Sequence, residues 1–228
     1  MAEILVLADH DGGEVARVTL ELITLARRFG DPAVAWAGPG AEKGQERCAN
    51  YGAARVYAAG DPVFDDLVVA ATAELLAQLV RENSPALVLV SGSPEGKEIA
   101  ARLAVKLDSG LITDAVDLVP DEDGNPVAEQ SNFGGAIVVR SRVKRGIPIV
   151  AVRPHAVAPE PAPRHAELVP VHLTAAADGA RITERVVAER GDRPELTEAS
   201  IVVSGGRGTG SAEGFGIIEQ LADALGAA

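Results

Sequence analysis

Short apolar runs alternate with longer amphipathic stretches along the first two thirds of the chain. Each apolar run has four or five residues and predicts a buried strand. Each longer stretch repeats its apolar residues every three or four positions and predicts a helix. Strands are predicted at 4–8, 33–37, 55–58 and 87–90, and helices at 14–29, 42–51, 64–82 and 95–107. This alternation is typical of a mostly parallel sheet with helices on both faces, so the sequence predicts an α/β fold.

The pattern changes after residue 111. Three strand-like runs follow one another without a helical stretch between them, at 114–119, 126–130 and 136–140, and a fourth run at 147–152 closes the series. Asp123, Gly124 and Asn125 form a hairpin turn signal between the first two runs. We therefore expect an antiparallel extension at one edge of the sheet.

A proline-rich connector precedes a second unit. Pro159, Pro161 and Pro163 predict a stiff, extended segment, and two further edge strands are predicted at 169–173 and 182–188. The turn-rich run 190–194 marks a boundary, which divides the chain into a first domain at 1–190 and a second at 191–228. The second contains a predicted strand at 200–203, a glycine turn and a helix at 212–225. One strand and one helix cannot cover both faces of a sheet, so we expect the start of an incomplete α/β domain.

The charge excludes two classes of partner. The 228 residues include 33 acidic and 21 basic ones, which gives a net charge of −12. Nucleic acids and anionic membranes both require a positive surface, so neither is expected to bind. There is no apolar run long enough to span a bilayer and no basic, apolar leader, which favours a bacterial cytoplasmic protein without direct membrane insertion. The single cysteine, Cys48, excludes an internal disulfide and a cysteine-rich metal site, and it is predicted to lie in or near the core.

The sharpest local motif is the glycine turn at 204–210, which reads Ser-Gly-Gly-Arg-Gly-Thr-Gly. It follows a predicted strand and precedes a helix, where open α/β sheets bind phosphates and dinucleotides. Glycines let backbone N–H groups approach an anion, and Arg207 beside Gly206 adds a planar set of donors. A glycine-rich turn alone is a weak motif. A ligand site at Gly206 and Arg207 and a plain turn with a solvated arginine therefore both remain open.

A second glycine-containing loop, at 91–98, fails as a phosphate-binding P-loop. Three residues separate Gly92 from Gly96 where the P-loop has four, and Glu98 follows Lys97 where the P-loop has Ser or Thr. The loop is therefore predicted to be a strand-to-helix turn capped by Ser93.

The first predicted strand ends in an Asp9–His10 pair that is compatible with acid–base or metal chemistry. No further ligand lies at metal-binding spacing, so a capped loop is the preferred interpretation. The chain also contains no G-x-S-x-G nucleophile motif, and no catalytic apparatus is predicted.

A family resemblance extends over the whole chain. It is most specific at 193–208, which reads Arg-Pro-Glu-Leu-Thr-Glu-Ala-Ser-Ile-Val-Val-Ser-Gly-Gly-Arg-Gly, and it continues at 211–215 and 221–223. In the first domain the matching stretches are 3–9, 19–27, 51–53, 96–104 and 133–136. Together these residues resemble the α subunits of electron transfer flavoproteins.

The resemblance implies an electron carrier rather than an enzyme. Such an α subunit pairs with a β subunit, and the heterodimer holds one FAD at the second domain of the α subunit. Electrons arrive from acyl-CoA dehydrogenases and similar flavoenzymes, as in fatty acid β-oxidation, and leave to a membrane quinone reductase. The family's FAD-contacting arginine corresponds to Arg207, next to Gly206.

The resemblance also implies where FAD is held. In the family the chain continues beyond the residues that match 228 and forms most of the FAD site there. We therefore expect FAD in the complete αβ complex, and weak or no binding by residues 1–228 alone. The alternative function is a nucleotide-binding regulatory module without flavin, built on 1–190 and binding ATP or AMP near Asp9 and 91–96.

Overall fold

A computed structural model describes residues 2–186 and 193–228. They form two compact units, Met1–Thr183 and Glu184–Ala228. The predicted boundary between residues 190 and 191 lies outside the described residues. None of the helices in the described part of the chain combines the length and apolar character needed to cross a membrane.

The first unit contains the sheet. Its helices are Arg17–Ala26 (α1), Ala41–Asn50 (α2), Val63–Asp66 (α3), Ala70–Asn83 (α4) and Pro94–Leu107 (α5). Its strands are Glu3–Leu7 (β1), His10–Asp11 (β2), Glu14–Val15 (β3), Asp31–Ala37 (β4), Arg55–Ala59 (β5), Leu87–Ser91 (β6), Leu111–Pro120 (β7), Pro126–Asn132 (β8), Ile137–Ser141 (β9), Ile149–Val152 (β10) and Glu167–Pro170 (β11). Nine of these strands form one sheet in the order β11-β5-β4-β1-β6-β10-β7-β8-β9, while β2 and β3 form a separate hairpin.

The large sheet is parallel from β11 to β7 and antiparallel from β7 to β9. The predicted antiparallel extension is therefore confirmed. The strand predicted at 147–152 is the last of the series along the chain but not in the sheet. It is β10, which lies between β6 and β7, with Ile149 opposite both Val88 and Leu111. Of the two predicted edge strands, the first is present as β11 beside β5. The second predicted edge strand, 182–188, is wrong for 182–186, where the described chain is not a strand. Residues 187 and 188 of that prediction lie outside the described residues.

Both faces of the sheet are buried, which confirms the α/β class. On β1, Ile4 and Val6 face one apolar layer, in which the side chains of α1 and α2 pack. Leu5 and Leu7 face the opposite layer, in which α4 and α5 pack. This two-sided burial explains why these strands are continuously apolar instead of alternating with polar residues.

Two predicted helices differ from the structure. The helix predicted at 64–82 is two helices, because the backbone at Leu67 is extended between α3 and α4. Leu67 is only 2% exposed, and it packs with Ala70 and Ala71, so tertiary packing satisfies the periodic pattern without one continuous helix. The helix predicted at 14–29 begins only at Arg17, because the β2–β3 hairpin occupies its first residues.

The second unit contains one long helix, Ala212–Leu225 (α6), at the bounds that the sequence predicts. The segment predicted as a strand at 200–203 is not assigned as one. The Ala228 N–H donates to the Ile201 carbonyl at 3.1 Å, and the Val203 N–H donates to the Ala228 carbonyl at 2.9 Å. These two bonds form the hydrogen-bond pattern of a parallel pairing between Val202 and Ala228. Within the described chain, this is the one strand-like pairing that residues 200–203 make.

Candidate cofactor-binding turn

The glycine turn before α6 is held by its own backbone. The Thr209 N–H donates to the Gly206 carbonyl at 3.1 Å, and the Gly210 N–H donates to the Arg207 carbonyl at 3.2 Å. The Ser211 hydroxyl then caps α6 by accepting a hydrogen bond from the Gly214 N–H at 3.1 Å. The turn is thus ordered by local hydrogen bonds and leads directly into the positive end of the helix dipole.

The glycines of this segment serve two different purposes. A Cβ on Gly205 would lie 2.6 Å from Cε2 of Phe215, and a Cβ on Gly214 would overlap the Thr209 carbonyl oxygen. These two glycines let the turn contact the helix closely. A Cβ on Gly206 or Gly208 would meet no atom within 4 Å, so their bare backbone faces open space. A ligand can therefore approach the main chain at these two positions.

The turn offers hydrogen-bond donors that nothing in the described chain uses. The backbone N–H groups at 205–208 donate to no described group. The side chain of Arg207 is exposed and has no hydrogen bond or ion pair to any residue that the structure describes. A guanidinium and several free amides beside the N-terminus of a 14-residue helix attract an anionic or electron-rich group. This donor set fits an anionic cofactor such as FAD.

In the loop at 91–97 of the first unit, most of the backbone donors are already used. Ser91 Oγ accepts from the Ser93 N–H at 3.2 Å, Ser93 Oγ accepts from the Gly96 N–H at 3.0 Å, and the Gly92 N–H donates to the Val152 carbonyl at 2.6 Å. The predicted turn with a Ser93 cap is confirmed. The amides of Gly92, Ser93, Gly96 and Lys97 are already paired, which disfavours the alternative function, ATP or AMP binding near this loop.

The lysine of that loop is also occupied. Lys97 Nζ lies 2.6 Å from Oδ1 of Asp114, on β7. This hydrogen bond lowers the pKa of the Asp114 carboxyl below its ordinary value, so the carboxylate remains ionised and keeps its lysine partner. A phosphate would have to displace this carboxylate to reach Lys97.

The loops that precede α5 and α6 share a local motif that sequence reasoning missed. Both read Ser/Thr-Gly-Ser-x-Glu-Gly, at 91–96 and at 209–214. In each, the serine before the helix caps it through the amide of the last glycine. A Cβ on that glycine, Gly96 or Gly214, would overlap the carbonyl oxygen of the first residue of the motif. The sequence signal that could have revealed this is the six-residue motif, which occurs twice. In both units it marks a loop that packs closely against the helix that follows.

His10 is part of a packed pair rather than a metal site. Its imidazole stacks on the Trp36 ring with centroids 4.0 Å apart, and its Nε2 lies 2.9 Å from the Ala37 carbonyl oxygen. Burial lowers the pKa of His10, so the neutral ring is favoured. Across the described residues, no group of three or more His, Cys, Asp or Glu side chains is arranged to hold a metal ion.

Cys48 is a core residue, as predicted. Its side chain is fully buried in α2, and burial raises the pKa of the thiol to about 12. The thiol therefore stays protonated and packs as a small apolar group.

The strand order of the first unit and the turn of the second together define a class of protein. The run β5-β4-β1-β6-β10 reverses direction at β1, as nucleotide-binding α/β sheets do. The turn before α6 adds a set of backbone donors, at 205–208, that the described chain leaves unused. The molecule is therefore an α/β protein whose sheet has the strand order of nucleotide-binding folds.

Comparison with known proteins identifies the family. Residues 4–190 match the family model described as the electron transfer flavoprotein domain, and residues 195–228 match the electron transfer flavoprotein FAD-binding domain. The chain belongs to the electron transfer flavoprotein α-subunit family.

Several bacterial relatives carry the name electron transfer flavoprotein subunit alpha. The protein from Mycobacterium tuberculosis is 46% identical over 231 residues, which cover all of this chain and 71% of the relative. The protein from Mycobacterium leprae is 42% identical over the same coverage. The Bacillus subtilis protein is 30% identical over 99% of this chain and 70% of its own length.

Proposed function

We propose that this chain works as an electron carrier, as the α subunit of a heterodimeric electron transfer flavoprotein, and that Gly206 and Arg207 contact its FAD. The observation that supports this site is the set of unused donors at 205–208. It lies in the segment that matches the FAD-binding domain family. The names of the matching family and of the relatives, which describe electron transfer, support a carrier role.

FAD, when bound, supplies the redox chemistry, since it accepts and releases electrons. Arg207 supplies a positive charge on a planar guanidinium. Its planar donors stabilise an electron-rich edge more strongly as negative charge develops there on reduction. Gly206 contributes an uncovered backbone, so that a flat or anionic group can approach the N–H groups of the turn.

The proposed partners are those that the family resemblance implies. A β subunit shares the FAD, acyl-CoA dehydrogenases and similar flavoenzymes donate electrons, and a membrane quinone reductase accepts them, as in fatty acid β-oxidation. The relatives' name, subunit alpha, supports an assembly with a second kind of subunit. Their bacterial sources support a location in the bacterial cytoplasm. FAD is expected to be held in the complete αβ complex.

The experiment compares Arg207→Ala, Arg207→Lys and Gly206→Ala in the complex co-expressed with its β subunit. FAD per heterodimer is measured from the flavin absorbance after gel filtration, and the midpoint potential by redox titration. We expect Arg207→Ala to lose flavin or lower the potential, and Arg207→Lys to lose less because it keeps the charge. Arg102→Ala is the control, since Arg102 is also exposed but lies on α5. Full flavin content with an unchanged potential in Arg207→Ala would contradict the proposal.

A further inference from the structure

The β2–β3 hairpin has no role in the proposed function. It spans residues 10–15 and follows β1, at the carboxyl ends of the parallel strands β1 and β4. Its two strands pair through His10 opposite Val15 and Asp11 opposite Glu14. A two-stranded hairpin is at best marginally stable in water by itself, so contacts with the rest of the first unit must hold it in place.

The side chain of His10 fastens the hairpin to β4. Its ring stacks on Trp36 with the two planes 15° apart, and its Nε2 lies 2.9 Å from the Ala37 carbonyl oxygen. Because a carbonyl oxygen only accepts hydrogen bonds, Nε2 carries a proton and donates to it. In the neutral ring, Nδ1 then keeps its lone pair. The neutral ring is therefore sufficient for this contact.

The closed hairpin covers Trp36 and the start of α2. Val15 is only 4% exposed and packs in the same apolar layer as Trp36. The loop before α2 touches the hairpin main chain to main chain, since a Cβ on Gly40 would lie 2.7 Å from the backbone of Gly13. Displacing the hairpin would therefore uncover one face of the indole and the first turn of α2.

The other ring nitrogen of His10 lacks an acceptor for a second proton. Nδ1 is buried and has no hydrogen-bond partner among the described residues, so protonation there would leave an N–H without an acceptor. Burial lowers the pKa of His10 below 6.5, and this effect exceeds the opposite ones of the Ala37 carbonyl and the Asp11 carboxylate. The face of the Trp36 ring attracts a cation, so the stack also works against release. On balance, a solvated His10 takes up its proton at a higher pH than the stacked one.

Asp11 is the charged residue that acts on the ring. The β4 residues in contact with the ring are uncharged. Glu14 of β3, Lys43 of α2, and Asp65 and Asp66 of α3 lie on the surrounding elements but are not among the groups that shift the pKa of His10. Within the described chain, the protonation of His10 is therefore governed by its own burial, its backbone hydrogen bond and Asp11.

We propose that the β2–β3 hairpin is a pH-sensitive latch, in which protonation of Nδ1 releases His10 from β4 and lets the hairpin move away from Trp36 and the start of α2. The proton comes from solvent, and water then accepts hydrogen bonds from both ring nitrogens. Histidine protonation is a general means of switching between two arrangements near pH 6. The latch needs neither FAD nor a partner, so it stands or falls separately from the proposed function.

Proton linkage gives the direction and the size of the effect. The open form has the ordinary pKa of 6.5 and binds the proton more tightly than the closed form. The closed form is therefore favoured above pH 6.5 and loses this advantage as the pH falls below 6.5. If the closed form takes up no proton in this range, the ratio of open to closed hairpin rises about tenfold between pH 7.5 and pH 5.5, which is the upper limit.

The test is amide hydrogen exchange of the full chain at pH 7.5 and pH 5.5, with each rate corrected for the intrinsic pH dependence of exchange. The reporter is the Ala16 N–H, which donates to the Asp9 carbonyl at 3.0 Å across the base of the hairpin. Its protection is expected to be lower than that of the β6 amides at both pH values, because the hairpin opens without global unfolding. Lowering the pH should reduce that protection by a factor between about two and ten.

Two variants identify the titrating group. His10→Gln keeps a side-chain N–H for the Ala37 carbonyl but does not titrate, so the protection of Ala16 should no longer depend on pH. His165→Gln is the matched control, because His165 is exposed and lies outside the hairpin, and it should behave as wild type. If His10→Gln does not fold, NMR titration of the His10 ring in the wild type replaces it, and ring protonation and loss of protection should then follow the same pH dependence.

Three results would overturn the latch. The first is equal protection of Ala16 and β6 at both pH values, because the hairpin would then open only by global unfolding. The second is a change of less than twofold between the two pH values, as expected if the Asp11 carboxylate moves to accept from Nδ1 and keeps the ring in place. The third is the wild-type pH dependence in His10→Gln, or a ring titration that does not match the loss of protection.

Discussion

Gly44 lies inside α2, where alanine is ordinarily the better helix residue. A Cβ at this position would overlap Cη2 and Cζ3 of Trp36 and would lie 3.1 Å from Cγ2 of Val15. Trp36 is fully buried and cannot move aside easily. Its ring stacks on His10, and its Nε1–H donates to the Pro39 carbonyl at 3.1 Å. We therefore expect Gly44→Ala to destabilise the first unit even though it favours the helix.

Two opposing effects decide the magnitude. Replacing glycine by alanine inside a helix stabilises it by about 0.5–1 kcal/mol. Forcing an extra methyl group into a packed core costs about 1–3 kcal/mol, and the two-sided support of the Trp36 ring favours the upper part of that range. The expected net loss is about 1–2 kcal/mol, as the difference of these two effects. In a protein of this size each kcal/mol lowers the unfolding temperature by about 2–4 °C, so we expect a fall of about 2–8 °C.

The assay is thermal unfolding followed by circular dichroism, with emission of the single tryptophan as a local reporter. Gly60→Ala is the control within the same unit, because Gly60 is exposed and a Cβ there would meet no atom within 4 Å. The control should leave the unfolding temperature unchanged or raise it. Trp36→Phe should remove most of the cost of Gly44→Ala, because phenylalanine lacks the two overlapping ring carbons. The reasoning is refuted if Gly44→Ala stabilises the protein, or costs as much in the Trp36→Phe background.

Three further predictions follow from burial. Because burial lowers the pKa of His10 below 6.5, the unfolded chain takes up the proton first, so stability should fall as the pH drops below 6.5. Urea unfolding at pH 7.5 and 5.5 measures this, and His10→Gln should reduce the dependence. With a thiol pKa of about 12, Cys48 should resist a thiol reagent at pH 8 until the chain is unfolded. A fragment of residues 2–183 should unfold cooperatively, whereas a fragment of 184–228, whose described buried apolar residues are three alanines, should show no cooperative melting by circular dichroism.

The strands of the parallel sheet and three of the helices, two in the first unit and one in the second, were predictable from local pattern. The apolar run at 87–90 corresponds to β6, since both faces of that strand are buried. The predicted helices 42–51, 95–107 and 212–225 agree with α2, α5 and α6 within one residue at each end. The cap by Ser93 was also predictable, because capping depends on residues a few positions apart. The role of Gly206 and Arg207 at FAD stays a prediction.

The sequence by itself therefore determined the fold class, the antiparallel extension and the position of the donor-bearing turn, because each depends on residues close together along the chain. Only the tertiary structure decided where β10 inserts, why the helix at 64–82 breaks at Leu67, and that Asp114 occupies Lys97. These features depend on contacts between distant segments, whose energies leave no periodic signal in the sequence. The open donors at 205–208 and the mostly paired ones at 91–97 look alike as glycine-rich sequence. What distinguishes them is whether another part of the same unit already accepts their hydrogen bonds.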